Sequence, residues 1–155
     1  MILRFFILTL VLSINTFVSA QGKIYKGNST SYSDCLFTVD KDKAYSGNST
    51  SYSDTKLTIK GDKVYKGNST SYSDCLFTIK DGKIYSGNST SYSDCVYTIK
   101  GDKVYKGNST SYSDCVFTFS KNKMYNGNST SYSDTAVTFD GVFKYWLLVI
   151  LVGPH

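Results

Sequence analysis

The groups in this chain that could do chemistry are serine beside aspartate, asparagine two residues ahead of threonine, tyrosine set among polar residues, and cysteine at a fixed interval. Ser33-Asp34 recurs at 53–54, 73–74, 93–94, 113–114 and 133–134. A nucleophilic serine needs a base on its own face, whereas neighbours along an extended segment point to opposite faces. The acidic residues are all Asp, and the single His is His155. Catalysis draws on one constellation of unlike groups, so polar groups repeated six times over predict a protein that is not an enzyme and carries no cofactor. Cys35, Cys75, Cys95 and Cys115 stand 20 or 40 residues apart with no His between them, which argues against zinc or any other metal.

Asn28, Asn48, Asn68, Asn88, Asn108 and Asn128 each open an Asn-Ser-Thr triplet, the acceptor pattern for N-glycosylation in a host that has the machinery. The same residue types also build turns. Asp34 and its equivalents read as turn caps, because no loop offers the several carboxylates that a tight calcium site uses. Tyr32, Tyr52, Tyr72, Tyr92, Tyr112 and Tyr132 are the candidate ligand-facing residues. An aromatic platform among hydroxyls and amides suits polysaccharide, and the alternative is that these rings cover the strands beneath them.

These groups are set by one 20-residue unit that starts at Lys23, Lys43, Lys63, Lys83, Lys103 and Lys123, with eleven positions the same in all six copies. Copies so alike occupy equivalent environments, as in a ring or a stack. The unit ends in a strand pattern, Cys35-Leu36-Phe37-Thr38-Val39 in the first copy. Alternation turns Phe37, Leu57, Phe77, Tyr97, Phe117 and Val137 toward a core, with the first and fifth places alongside them and the Thr side outward. Lys-Asp-Gly-Lys at 80–83 and Lys-Gly-Asp-Lys at 60–63 and 100–103 then predict hairpin turns into the next opening strand. That strand is apolar at its second place and always Tyr at its third, and strict alternation cannot bury both in one core. The Gly at 27 and its equivalents mark a bulge or a close approach to the backbone.

The formal net charge is +5, and the basic residues other than Arg4 are Lys spaced singly along the chain. A nucleic-acid binder concentrates its charge and uses Arg forks, so this pattern argues against nucleic acid as a partner. Residues 1–20 carry a basic start, an apolar run from Phe5 to Leu12 and the small-residue exit Val18-Ser19-Ala20. They read as a secretory signal peptide cleaved after Ala20, which places the mature chain as secreted, periplasmic or at the cell surface.

Twelve strands from six hairpins predict an all-β, closed antiparallel barrel, with a β-solenoid as the alternative. Such a barrel leaves more interior than its own side chains fill. The apolar tail within 142–155 is the natural filling: residues 142–152 would make a helix of about 16 Å, with Trp146, Leu147, Val149 and Ile150 as the plug. A final strand or a membrane contact are its alternatives. In a barrel, equivalent cysteines of neighbouring units lie about 9.5 Å apart, beyond disulfide reach, so the four thiols are expected free and interchangeable with Thr.

Six hairpins followed by an apolar C-terminal segment resemble, in layout, the symmetric barrels called β-flowers and the tubby-like and scramblase-like barrels that enclose a C-terminal helix. The resemblance spans residues 23–152 and includes no residue motif of the tubby family. It implies a lipid or membrane-surface role. The residues themselves point to an exported, non-enzymatic binding or structural module, with polysaccharide as a further candidate partner.

Overall fold

Each repeat folds as a short and a long strand joined by a polar loop. The computed structural model describes residues 21–154, so the expected signal peptide and His155 lie outside the described residues. In the first unit β1 (Gly22–Lys26) runs through the loop and a 3-10 turn at Tyr32–Asp34 into β2 (Cys35–Asp40). The pattern recurs in β3 (Lys43–Ser46), β4 (Thr55–Lys60), β5 (Lys63–Lys66), β6 (Cys75–Lys80), β7 (Lys83–Ser86) and β8 (Cys95–Lys100). It continues through β9 (Lys103–Lys106), β10 (Cys115–Ser120), β11 (Lys123–Asn126) and β12 (Thr135–Asp140), and α1 (Tyr145–Val152) follows. Every strand pairs antiparallel with its sequence neighbours and β1 pairs with β12, which closes the barrel and excludes the solenoid. At that seam Lys23 lies opposite Asp140, Ile24 opposite Phe139, Tyr25 opposite Thr138 and Lys26 opposite Val137.

Two-residue turns join the units. Asp81 and Gly82 both have positive φ, 51° and 73°, as a tight hairpin reversal demands. At the first place of the other turns two units have glycine, Gly61 (φ 64°) and Gly101 (φ 63°), while Lys41 (φ 55°) and Lys121 (φ 54°) hold the same left-handed conformation against the steric preference of a β-carbon. The barrel geometry overrides the local cost at those two turns.

A bulge corrects the expected strand faces. Ile24 pairs with Phe37 and Tyr25 with Cys35, so Leu36 is the extra residue, and the same irregularity recurs in every unit. Leu36, Leu76, Val96, Val116 and Ala136 consequently turn inward and pack against the core. Cys35 and its equivalents turn outward onto the Thr face instead, where Cys95 Sγ lies 3.9 Å from Thr98 Oγ1. All four thiols are free.

Both faces of the opening strand are covered. Ile24 is fully buried in the core, and Tyr25 on the outer face is only 8% exposed beneath the loops. Gly27 supplies no bulge; it turns the chain at φ 56°, and its N–H bonds to Ala136 O at 3.0 Å across the seam.

The core lies inside the barrel around α1. Leu57, Tyr97, Phe117 and Val137 are buried, Phe37 and Phe77 are half-buried against them, and Leu147, Leu148, Val149 and Ile150 fill the axis. The helix has eight residues, about 12 Å, three fewer than the apolar tail would allow. The remaining residues, Val142–Lys144, bring the chain over the barrel end. There Phe143 packs on Phe139 at 5.8 Å between ring centres, and Tyr145 stacks on Phe119 at 3.9 Å. A β-carbon at Gly22 would sit 2.4 Å from the Phe143 ring, so the start of β1 must be bare to admit the lid. Trp146 is half-buried at this end of the barrel.

Each unit is clipped to the next by the invariant Thr. Thr38, Thr58, Thr78, Thr98 and Thr118 donate to the carbonyls of Gly47, Gly67, Gly87, Gly107 and Gly127 at 2.6–2.8 Å, and Thr138 donates to Gly27 O at 2.7 Å over the seam. Where Thr replaces Cys, by contrast, the hydroxyls of Thr55 and Thr135 are buried without a partner. In urea unfolding, Thr58→Val is expected to cost about 1–3 kcal/mol by stranding the Gly67 carbonyl, whereas Thr55→Cys is expected to gain about 1 kcal/mol. Effects of the same sign would contradict these two assignments.

Candidate functional site

The eight-residue loop Gly-Asn-Ser-Thr-Ser-Tyr-Ser-Asp forms no strand and only a single 3-10 turn, being made of residues whose side chains compete for nearby backbone groups. Three local hydrogen bonds order it. Ser29 Oγ donates to Asp34 Oδ2 at 2.6 Å, Ser31 N–H donates to Ser29 Oγ at 3.0 Å, and Asp34 N–H bonds to Ser31 O at 3.0 Å. The Asp34 carboxylate therefore ties down Ser29 within its own loop, through the side chain and not through a backbone cap.

A belt of side chains links the loops around the outside of the barrel. Lys23 Nζ donates to Asn48 Oδ1 of the next unit at 2.9 Å, and Asn48 Nδ2 donates back to Tyr32 O at 2.7 Å. Lys43, Lys63 and Lys83 reach Asn68, Asn88 and Asn108 in the same way at 2.5–2.8 Å, and Lys103 reaches Asn128. Lys123 closes the circle on Asn28 at 2.6 Å, and Asn28 Nδ2 donates to Tyr132 O at 2.9 Å. The belt thus spends both ends of the amide. The nitrogen that would carry a glycan is already a donor in the folded chain at Asn28, Asn48, Asn68, Asn88 and Asn108.

Backed by this belt, Tyr32, Tyr52, Tyr72, Tyr92, Tyr112 and Tyr132 stand 75–80% exposed, so they do not cover the strands. That covering role falls to Tyr25 and its equivalents, among which burial and the nearby Asp40 and Asp42 push the Tyr45 hydroxyl above its ordinary pKa. Lys23, Lys43 and Lys123 sit 5.8, 5.5 and 5.4 Å from the ring centres of Tyr32, Tyr52 and Tyr132, close enough for a cation–π contact. The six exposed rings form a collar, with the hydroxyls and amides of the same loops between them. Among the described residues no three of His, Cys, Asp and Glu come together to hold a metal ion.

The loop end of the barrel also opens inward, and this is the feature that sequence reasoning missed. A cavity of about 780 Å³ is lined by Leu76, Phe77, Val96, Tyr97, Val116 and Pro154, with Lys106 and Ser86 among its polar lining residues. Tyr97 OH donates to Pro154 O at 2.6 Å, anchoring the end of the tail to the wall, and burial raises its pKa. The alternation of Lys and Ser at 26, 46, 66, 86 and 106 was visible in the sequence, but only the strand register tells which way it faces.

Removing one belt amide tests how the collar is held. Asn88→Ala should cost about 1–2 kcal/mol, since it takes the acceptor from Lys63 and the donor from Tyr72 O, and should speed backbone hydrogen exchange in residues 70–74. Unchanged exchange there would mean that the loop is ordered without the belt.

No curated protein and no solved structure gives a significant match to this chain. The model of one family, the 6-fold beta flower protein, does match, over residues 17–151. Twelve strands in a closed ring, clipped together six times by the same contacts around a C-terminal helix, agree with that description, and the chain belongs to the 6-fold beta flower protein family.

Proposed function

We propose that this protein is an exported, non-enzymatic binding module that grips a repeating ligand with its tyrosine collar, and that the ligand is a polysaccharide. The observation that carries the reading is the set of six tyrosine rings, each 75–80% exposed, on loops tied to the next unit by the lysine–asparagine belt. Leaving large rings in water costs hydrophobic free energy, and a circle of them amounts to a preorganised contact surface. Each ring offers an apolar face, and the Ser, Thr and Asn around it offer the hydrogen-bond partners that sugar hydroxyls need. Six equivalent sites on one body add avidity to what is weak binding at each. The apolar, small-residue-terminated segment 1–20 supports the export reading.

A glycan array probed with the mature chain tests this directly. Binding is expected to extended glycans, with at least about a tenfold loss in the Tyr32→Ser, Tyr72→Ser, Tyr112→Ser triple variant because avidity falls with every lost site. These rings are exposed, so thermal unfolding of the variant should be nearly unchanged. An empty array, or undiminished binding by the folded variant, contradicts the proposal.

A further inference from the structure

Charge is distributed around this barrel in rings, and the rings nearly cancel. The outer belt has six Lys, at 23 and its equivalents, against six loop Asp, at 34 and its equivalents. The hairpin-turn end carries Lys41, Lys60, Lys80, Lys100, Lys121 and Lys144 against an equal number of Asp. Four cations are left over: Lys26, Lys56, Lys66 and Lys106.

All four belong to the loop-side mouth. Lys26 pairs with Val137, Lys66 with Leu57 and Lys106 with Tyr97, and residues directly opposite in an antiparallel pair share a face. Those partners are buried in the core, so the three lysines stand on the inner wall, one in every second unit, above the apolar lining. Lys56 holds the bulge place whose other occupants turn inward. The floor is apolar, formed by the wall residues Leu76, Val96 and Val116 and by Pro154 at the end of the tail. The second cavity, about 610 Å³ at the turn end beside Trp146, is lined by Lys41 and Lys144 together with Asp42.

We propose that the mouth binds a single-chain anionic amphiphile, with the aliphatic chain on the apolar floor and the carboxylate at Lys106, in the field of Lys26 and Lys66 farther round the same rim. The volume is that of a small-molecule pocket. Uncompensated charge at a low-dielectric opening focuses the field on an anion. A cationic or neutral amphiphile would satisfy the floor and leave the lysines unpaired. The site is separate from the tyrosine collar, so either can fail without the other.

Calorimetric titration of the mature chain with dodecanoate, kept below its micelle concentration, is the test. Saturable one-to-one binding is expected, at least tenfold weaker in the Lys26→Ser, Lys66→Ser, Lys106→Ser variant. Ser46 and Ser86 already hold this place in two units, so the variant should fold. Lys60→Ser, Lys80→Ser, Lys100→Ser removes the same charge at the other end and should leave binding unchanged. Dodecyltrimethylammonium should bind at least tenfold more weakly. Emission from Trp146, at the far end, should not move. The proposal is overturned by absence of saturable binding, by equal losses in both triple variants, by a Trp146 shift, or by binding to phosphatidylserine vesicles without binding of monomeric dodecanoate.

Discussion

Closure of the ring is the constraint on which the rest depends. An antiparallel sheet of short strands has two edges whose unpaired N–H and C=O groups would recruit other chains, and only closure removes them. Here β1 meets β12, and the contacts that join any unit to its neighbour are repeated at the seam: Thr138 to Gly27, and Lys123 to Asn28. This explains why the copies can be so alike. In a ring no unit is terminal, so none needs the altered capping sequence that ends an open stack.

Closure at twelve strands creates the next requirement, a filling. The tail meets it with a helix that is apolar on every side, which suits a helix surrounded by wall and no other setting in water. Because the helix spans only Tyr145–Val152, it packs the turn end and middle of the barrel and leaves the loop end open. The mouth is thus a consequence of a plug shorter than the space it fills. The outside of the wall is finished differently, by folding the polar loops over Tyr25, Thr38 and their equivalents, so that both faces of each strand are buried.

Much of this was legible in the residues, because repeats, hairpin turns and an apolar tail are local signals. The 20-residue period gives the strand count, Asp81-Gly82 gives the reversal, and the lack of any polar face on Leu147–Ile150 gives the plug. What was hidden depends on pairing across strands. Alternation assumes an unbroken ladder, so the bulge at Leu36 moved Cys35 to the opposite face from the one expected. Burial of both Ile24 and Tyr25 looked contradictory because the loop that covers the outer face has no apolar pattern. The bond from Lys23 to Asn48 joins residues 25 positions apart through a ring that sequence does not display. The inward lysines at the mouth are invisible for the same reason.

The most direct test of the account is whether the two chain ends meet as neighbouring strands. With the native thiols removed by Cys35→Ala, Cys75→Ala, Cys95→Ala and Cys115→Ala, which strand no buried hydroxyl, the pair Lys23→Cys and Asp140→Cys places two thiols opposite each other across the seam. Antiparallel partners have Cα atoms about 4.5–5.5 Å apart, within disulfide range. A closed barrel gives an intramolecular disulfide in the folded monomer on mild oxidation. Thiols that stay free, or that link only one molecule to another, would contradict closure.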